Sequence, residues 1–120
     1  MTVPDGKFPK EERIVKTGDL GKVYRSGASF SAGPFVLKVL PSALERNRIG
    51  FSISARNIKS AVKRNRIRRL FREAFRRNKQ ALKKSFDVVL VARREAAAGF
   101  SYNDAEGVFL QLAKKSGIWA

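Results

Sequence analysis

The sequence predicts an α/β or α+β sandwich built around one small sheet, because strand-type and helix-type hydrophobic patterns alternate along its 120 residues. Short runs rich in β-branched and aromatic residues are typical of strands, and longer segments have the apolar spacing of amphipathic helices. Hydrophobic residues make up 43% of the chain, which is enough for one modest core. We therefore expect a single domain over residues 17–120, preceded by a partly ordered arm over residues 1–16.

The first elements are a short helix and a strand. A helix is predicted over Asp19–Arg25, with Gly27 at the position of a C-cap. Its apolar positions are Leu20, Val23 and Tyr24. The run FVLKVL, Phe35–Leu40, predicts a strand that ends at Pro41.

The run RIGFSIS, residues 48–54, predicts a second strand with two unlike faces. Ile49, Phe51 and Ile53 share one face. The other face carries only the small side chains of Gly50, Ser52 and Ser54. A bulky group is therefore expected to lie close against that second face.

The second half of the chain predicts a basic helix, a strand and a final helix. FDVVLVA, Phe86–Ala92, has the composition of a buried strand. The final helix is expected over Ser101–Lys115, because Ser101 and Asp104 resemble a capping box. Its buried face is predicted to consist of Ala105, Val108, Phe109 and Leu112.

The basic helix lies within Val62–Lys79, VKRNRIRRLFREAFRRNK, which holds nine lysines and arginines but a single carboxylate, Glu73. Its apolar arc consists of Ile67, Leu70, Phe71, Ala74 and Phe75, joined by Ala81 and Leu82. The opposite arc carries Asn65, Arg68, Arg69, Arg72 and Arg76.

Two interpretations of this charge compete. A charged run is usually a solvated helix face balanced by pairs of opposite sign, but here only Glu73 is available, four residues from both Arg69 and Arg77. Arginine outnumbers lysine seven to two in the stretch, and guanidinium groups suit bidentate contacts with phosphate. With a net charge of +16, the chain favours a polyanion partner, and charge alone leaves DNA, RNA and an anionic membrane surface open.

Asn65 stands out as a neutral amide among arginines. It could cap the N-terminus of the helix, since asparagine is a good capping residue. It could equally bond to a base edge or a ribose hydroxyl.

Composition also argues against a self-contained active site. The chain has no histidine or cysteine, and its ten carboxylates are scattered along the sequence. A two-metal nuclease needs several carboxylates close together, so binding is the favoured role. The sequence contains no apolar run long enough for a transmembrane helix and no secretory signal pattern at its N-terminus, and we expect a cytoplasmic protein.

The segment AVKRNRIRRLFREAF, Ala61–Phe75, resembles the signature of the bacterial ribonuclease P protein component. That family carries Arg-Asn-Arg after Ala-Val, followed by further basic residues on the same helix. The run RIVKTGDLGKVYRSG, Arg13–Gly27, is similar to the family's basic arm and first helix, although Leu20 stands where the family usually has phenylalanine. The strands and final helix also occur in family order, so the resemblance covers roughly residues 13–115.

The resemblance implies a sheet of about four strands with three helices, in which the basic helix sits in a left-handed β-α-β crossover, against the usual handedness. It implies that a large RNA subunit is the catalyst and removes the 5′ leader of precursor tRNA with Mg²⁺ held mainly by that RNA. The implied partners are ribonuclease P RNA and precursor tRNA, with neither a membrane nor a small-molecule substrate. The protein itself would supply no catalytic residue and bind no metal alone.

The resemblance also implies two sets of binding residues. The set for the catalytic RNA is Arg64, Asn65, Arg66, Arg68, Arg69 and Arg72, to which the helix pattern adds Arg76. The set for the leader, in a cleft between the sheet and the first helix, is Leu20, Tyr24, Phe35, Lys38, Ser52 and Arg56. For Tyr24 and Phe35 the alternative is plain core packing, and for Phe35 we favour that alternative.

Other classes of protein share some of these features. A ribosomal or other structural RNA-binding protein would have the same charge and size. A helix-turn-helix DNA-binding module needs a partner helix a short turn away, whereas strands are predicted on both sides of the basic helix. A protein-only nuclease would cleave RNA with Mg²⁺ and no RNA subunit.

Overall fold

A computed structural model describes residues 13–14, 17–99 and 101–119. The helices and strands in chain order are α1 (Thr17–Ser26), β1 (Ala28–Ala32), β2 (Phe35–Pro41), β3 (Arg48–Ser52), α2 (Ala61–Asn78), β4 (Phe86–Ala92) and α3 (Tyr102–Ser116). Short 3₁₀ helices follow α2 at Lys79–Ala81 and β4 at Arg94–Ala98. Most of the predicted arm, residues 1–12 and 15–16, lies outside the described residues.

The four strands form one mixed sheet in the order β1-β2-β4-β3. The pairs β1–β2 and β2–β4 are antiparallel, whereas β3 and β4 are parallel and α2 connects them. This arrangement of three helices and a four-stranded sheet confirms the predicted α+β fold class. The left-handed sense of the β3–α2–β4 crossover stays a prediction.

Strand β1 is the element that the hydrophobic pattern missed. Its sequence, ASFSA, has only Phe30 as a large apolar residue. It forms because a tight turn at Gly33 and Pro34 folds it back on β2, with Ala32 opposite Phe35. Gly33 has φ +57°, a conformation that glycine adopts without steric cost.

The main core lies on the face of the sheet that α2 and α3 cover. Strand β2 contributes Phe35, Leu37 and Val39, which pair in register with Ala92, Leu90 and Val88 of β4. The helices contribute Ile67, Phe71, Ala74, Phe75, Ala105, Phe109, Leu112 and Ala113, all buried. The predicted helix faces are thus confirmed, with Leu70 and Val108 half-buried at their edges.

Helix α2 is shorter than the predicted apolar arc, which included Ala81 and Leu82. The helix ends at Asn78, so Ala81 and Leu82 do not lie on it. Leu82 is still buried, because the 3₁₀ helix turns the chain and brings Leu82 into a β-bridge with Trp119. Its burial is a tertiary contact rather than a continuation of the helix face.

Helix α1 packs on the other face of the sheet, where Gly50 permits a close approach. A Cβ at position 50 would lie 2.7 Å from Cδ1 of Leu20 and 3.1 Å from Cβ of Ile14. Ile14 is held there because its N–H donates to the carbonyl of Ile49 at 3.0 Å. The expectation that a bulky group lies against the small face of this strand is confirmed.

Helix α3 begins with the predicted capping box. The N–H of Asp104 donates to Oγ of Ser101 at 3.2 Å, and the N–H of Ser101 donates to Oδ2 of Asp104 at 3.0 Å. These bonds lower the pKa of Asp104. Among the helices of the described part of the chain, none is long and apolar enough to cross a membrane.

Candidate nucleic-acid interface

Two side chains hold the N-terminus of α2 in place: Ser60, just before the helix, and Arg64, in its first turn. Oγ of Ser60 accepts a hydrogen bond from the N–H of Lys63 at 3.2 Å and caps the helix. Nη1 of Arg64 donates to the carbonyls of Ile58 and Lys59, at 2.8 and 3.0 Å. Arg64 therefore fastens the loop that leads into the helix, and part of its guanidinium is occupied by the protein itself.

Asn65 lies inside the helix rather than at its cap, so the capping interpretation is wrong. Its side chain is exposed, and Oδ1 accepts a hydrogen bond from Nη1 of Arg68 at 3.0 Å. Arg66 and Arg69 are exposed on the same outer part of the helix. The outer surface of this first part of α2 is thus a row of guanidinium groups and one amide.

Arg72 is half-buried where α2 meets the edge of the sheet. Its guanidinium carbon lies 5.4 Å from the centroid of the Phe51 ring. Burial lowers the pKa of Arg72, and the nearby charges of Arg13 and Arg68 lower it further. Three guanidinium groups therefore converge on one side of the molecule, a concentration of positive charge that suits an anion.

These three arginines line a depression of about 240 Å³ with Ile14 and Leu20. Arg13 is the residue that the sequence-based set omitted. It reaches the depression because its backbone forms a parallel bridge with Ile49 at the free edge of β3. Only this strand pairing places Arg13 beside α2.

Arg76 does not share this environment. Its Nε and Nη2 donate to the two carboxylate oxygens of Glu73, at 2.9 and 2.6 Å, and Nε of Arg77 donates to the same carboxylate at 2.9 Å. The hydrogen bond from Arg76 is the main reason that the pKa of Glu73 is lowered, and the bond from Arg77 lowers this pKa further. Of the two arginines four residues from Glu73, the structure pairs it with Arg77, and it adds Arg76 three residues away. Arg76 and Arg77 are thus set apart from the row of arginines that ends at Arg72.

The predicted leader cleft forms only in part. Leu20, Tyr24 and Ser52 line one depression of about 190 Å³ between α1 and the sheet. Tyr24 is 46% exposed, so the core-packing alternative is wrong for this ring. Lys38 lies on the same sheet face, with Nζ 5.2 Å from the Tyr24 ring centroid and 2.6 Å from Oγ of Ser29, to which it donates.

Two predicted cleft residues lie elsewhere. Phe35 is 2% exposed and packs 4.8 Å from the Phe71 ring, in the core on the opposite face of β2 from Lys38. Its assignment to the cleft is therefore wrong, and the core alternative is confirmed. Arg56 lies in the turn after β3, where it lines a separate depression of about 600 Å³ with Lys59, Lys63 and Arg94. The structure does not bring Arg56 together with Tyr24 and Ser52.

The acidic side chains of the described residues do not offer a set of metal ligands. No three carboxylates among residues 13–14, 17–99 and 101–119 converge on one point. Asp87, the one buried carboxylate among the described residues, accepts hydrogen bonds from Nε and Nη2 of Arg48 at 2.9 and 2.7 Å. Asp19 contributes a longer contact of 3.5 Å to the same guanidinium. The donor set that Mg²⁺ prefers is not assembled on this part of the chain.

The fold and this surface define a small α+β protein with an arginine-rich helix and, between its first helix and the sheet, a depression lined by an exposed aromatic ring. A family model described as Ribonuclease P matches residues 8–116. The chain is 37% identical over 111 residues to a ribonuclease P protein component of Clostridium botulinum strain Langeland, covering 92% of this chain and 98% of that protein. Its identity to the ribonuclease P protein component of Clostridium acetobutylicum is 41% over 111 residues, covering 91% and 92%.

A solved structure of the Staphylococcus aureus RNase P protein superposes on this fold with a TM-score of 0.81. Its sequence identity is 25%, and the match covers 91% of this chain and 98% of that one. The chain therefore belongs to the ribonuclease P protein family, which confirms the resemblance carried by the Arg-Asn-Arg helix. Membership of this family implies an RNA partner and a role in tRNA processing.

Proposed function

We propose that this chain is the protein subunit of ribonuclease P and binds the catalytic RNA through the outer face of α2. The observation that carries the proposal is the convergence of Arg13, Arg68 and Arg72 on one depression, next to the exposed Arg66 and Arg69. Guanidinium groups at this density neutralise phosphates and release their counterions. A folded RNA offers phosphates on a surface that such a helix can follow.

In this proposal the RNA subunit carries out the hydrolysis of the phosphodiester bond. Mg²⁺ would be held mainly by the RNA, and it would supply the metal-ion chemistry of the cleavage there. The protein contributes no group to the reacting atoms, in keeping with the scattered carboxylates of the described residues. Its cations lower the repulsion between two RNA molecules, so the complex should need less Mg²⁺ than the RNA alone.

The depression beside α1 would hold the 5′ leader of the precursor tRNA. The exposed Tyr24 ring offers a stacking surface, and the small side chain of Ser52 leaves room for a base. Stacking of one base on an aromatic ring contributes about 1–3 kcal/mol. The ammonium of Lys38 lies beside the Tyr24 ring, so it would contact the phosphate of a nucleotide stacked there. A protein with these partners would act in the cytoplasm.

Reconstitution with a bacterial ribonuclease P RNA tests this function. At low Mg²⁺ the protein should stimulate cleavage of precursor tRNA at the mature 5′ end, with the RNA shown to be active alone at high Mg²⁺. A structural or ribosomal RNA-binding protein would bind RNA without this stimulation. Cleavage by the purified protein and Mg²⁺ alone would instead establish a protein-only nuclease.

A further inference from the structure

A second group of cations lies at the opposite end of α2 from Arg64. We call it the far-end cluster, and it consists of Arg46, Lys79, Lys83 and Lys84. Arg46, Lys79 and Lys84 line a depression of about 250 Å³ between the 45–47 loop and the segment after α2. Lys83 and Lys84 are exposed, and Glu45 is the one carboxylate among the described residues that line the depression.

The segment that carries Lys83 and Lys84 is held in one shape by hydrogen bonds on both sides. Nδ2 of the buried Asn47 donates to the carbonyl of Lys83 at 2.7 Å, and Oδ1 accepts from the N–H of Phe86 at 2.9 Å. The N–H of Lys83 donates to the carbonyl of Ile118 at 2.7 Å. Two separate parts of the chain, at Asn47 and at Ile118, therefore fix the backbone beneath these two lysines.

Ser85, the next residue, has φ +73°, a region that residues with a Cβ seldom adopt. Its carbonyl accepts a hydrogen bond from the N–H of Ser42 at 2.8 Å. Such a conformation persists only where the surrounding contacts maintain it, and these conformations concentrate at sites with a function. The lysines are thus presented from a preordered loop, so binding a partner costs little backbone entropy.

The far-end cluster is separate from the arginine row. From Arg68, near the middle of the arginine row, to Lys79 the chain advances about 16 Å, at a rise of about 1.5 Å per residue. Between the two surfaces, Glu73 neutralises part of the charge of Arg76 and Arg77. The chain therefore carries two basic surfaces rather than one continuous stripe.

We propose that the far-end cluster binds a second stretch of RNA backbone, so that the protein contacts RNA at two separate places along α2 and the segment that follows it. This inference rests on the proposed function, in which RNA is already the partner. Lysine ammonium groups act as point charges for phosphate and read no base, so the contact is independent of sequence. The phosphates belong either to the ribonuclease P RNA or to the precursor tRNA.

The first test compares two double variants that each lose two positive charges. Lys83→Gln with Lys84→Gln removes the cluster's exposed lysines, whereas Lys22→Gln with Arg93→Gln removes two exposed cations elsewhere. The measurement is the slope of the logarithm of the RNA-binding constant against the logarithm of the salt concentration. Loss of two phosphate contacts in the lysine variant should reduce the steepness of this slope by about 1.4–1.8, whereas the control variant should change it little. Equal slopes for the two variants would overturn the proposal. Thermal unfolding of both variants checks that the fold is retained.

The second test identifies the source of the phosphates. The chain has no cysteine, so Lys84→Cys provides a single attachment point for an iron chelate that cleaves nearby RNA. In the complete complex with precursor tRNA, cuts in the RNA subunit or in the precursor tRNA would show which molecule lies against the cluster. The absence of cuts, with cuts from the exposed position Val62→Cys on α2 as a positive control, would show that no RNA lies there.

Failure of this inference is distinguishable from failure of the proposed function. If wild-type protein stimulates the RNA but the lysine variant behaves like its control, only the far-end cluster is excluded. If wild-type protein neither binds nor stimulates the RNA, the proposed function itself is wrong.

Discussion

The guanidinium of Arg72 lies 5.4 Å from the centroid of the Phe51 ring and faces the sheet edge rather than open solvent. Its charge is therefore held at a defined position, with Arg68 on the same helix and Arg13 beyond the edge of β3. Because three like charges repel, this arrangement costs free energy in the unbound protein. A bound phosphate would remove that cost.

Arg68→Ala and Arg72→Ala should each weaken binding to ribonuclease P RNA. Each variant is expected to reduce the slope of log K against log salt by about 0.7–0.9, the value of one phosphate contact. Arg76→Ala is the matched control, because its guanidinium is bonded to Glu73 and should change the slope less. Filter-binding titrations over a series of salt concentrations measure all three, and unchanged slopes for both Arg68 and Arg72 would remove this face from the interface.

Tyr24→Ala should weaken binding of precursor tRNA to the reconstituted enzyme by about 1–3 kcal/mol if one base stacks on the ring. Tyr24→Phe keeps the stacking surface and should bind nearly as well as wild type. The measurement is the difference in affinity between precursor tRNA and mature tRNA, since only the precursor has a leader. A loss that is the same for both RNAs would show that Tyr24 does not contact the leader.

Glu73→Gln should reduce the free energy of unfolding at neutral pH by about 0.3–1 kcal/mol, because it removes the carboxylate bonded to two arginines. The folded-state pKa of Glu73 is lowered, so its contribution is present above the unfolded pKa and is lost as the pH falls through the folded value. The difference between wild type and variant should therefore disappear at acid pH. Urea unfolding at pH 7 and at successive values below about pH 4 measures it. A difference that stays constant with pH would contradict the assignment.

Gly50→Ala should destabilise the protein by about 1–3 kcal/mol, because its Cβ would overlap Leu20 and crowd Ile14. Leu20→Ala in the same chain removes the closest of these atoms, so the double variant should recover part of the loss beyond simple additivity. Denaturant unfolding of the two single variants and the double variant gives this coupling directly. Additive effects would mean that helix α1 moves away from the sheet instead.

Much of the fold could be predicted because it follows from local patterns. The apolar spacing of Ile67, Phe71 and Phe75 identifies the inner face of α2 whatever it packs against. The capping residues Ser101 and Asp104 mark the start of α3 within a few residues of chain. Strand β1 was missed because its short, small-residue sequence is stabilised by pairing with β2 and has little pattern of its own.

The candidate site was less predictable from the sequence, since the role of several residues depends on which side chains the folded structure brings into contact. Phe35 and Lys38 belong to the same strand, but an odd separation places them on opposite faces of the sheet, one in the core and one beside Tyr24. Arg76 lies on the same arc of the helix as the predicted RNA-binding arginines. In the structure, however, its side chain donates hydrogen bonds to the carboxylate of Glu73. Spacing alone does not distinguish such a pair from a guanidinium that faces solvent.

By itself, the order of residues determined most of the segments that become helix or strand, and that one helix carries an excess of arginine, because periodicity and charge are properties of neighbours along the chain. Tertiary structure alone decided that Arg13 joins Arg68 and Arg72, and that Lys83 and Lys84 form a separate surface held by Asn47. The physical reason is that these groups are far apart in sequence and meet only when strands pair and loops close against them.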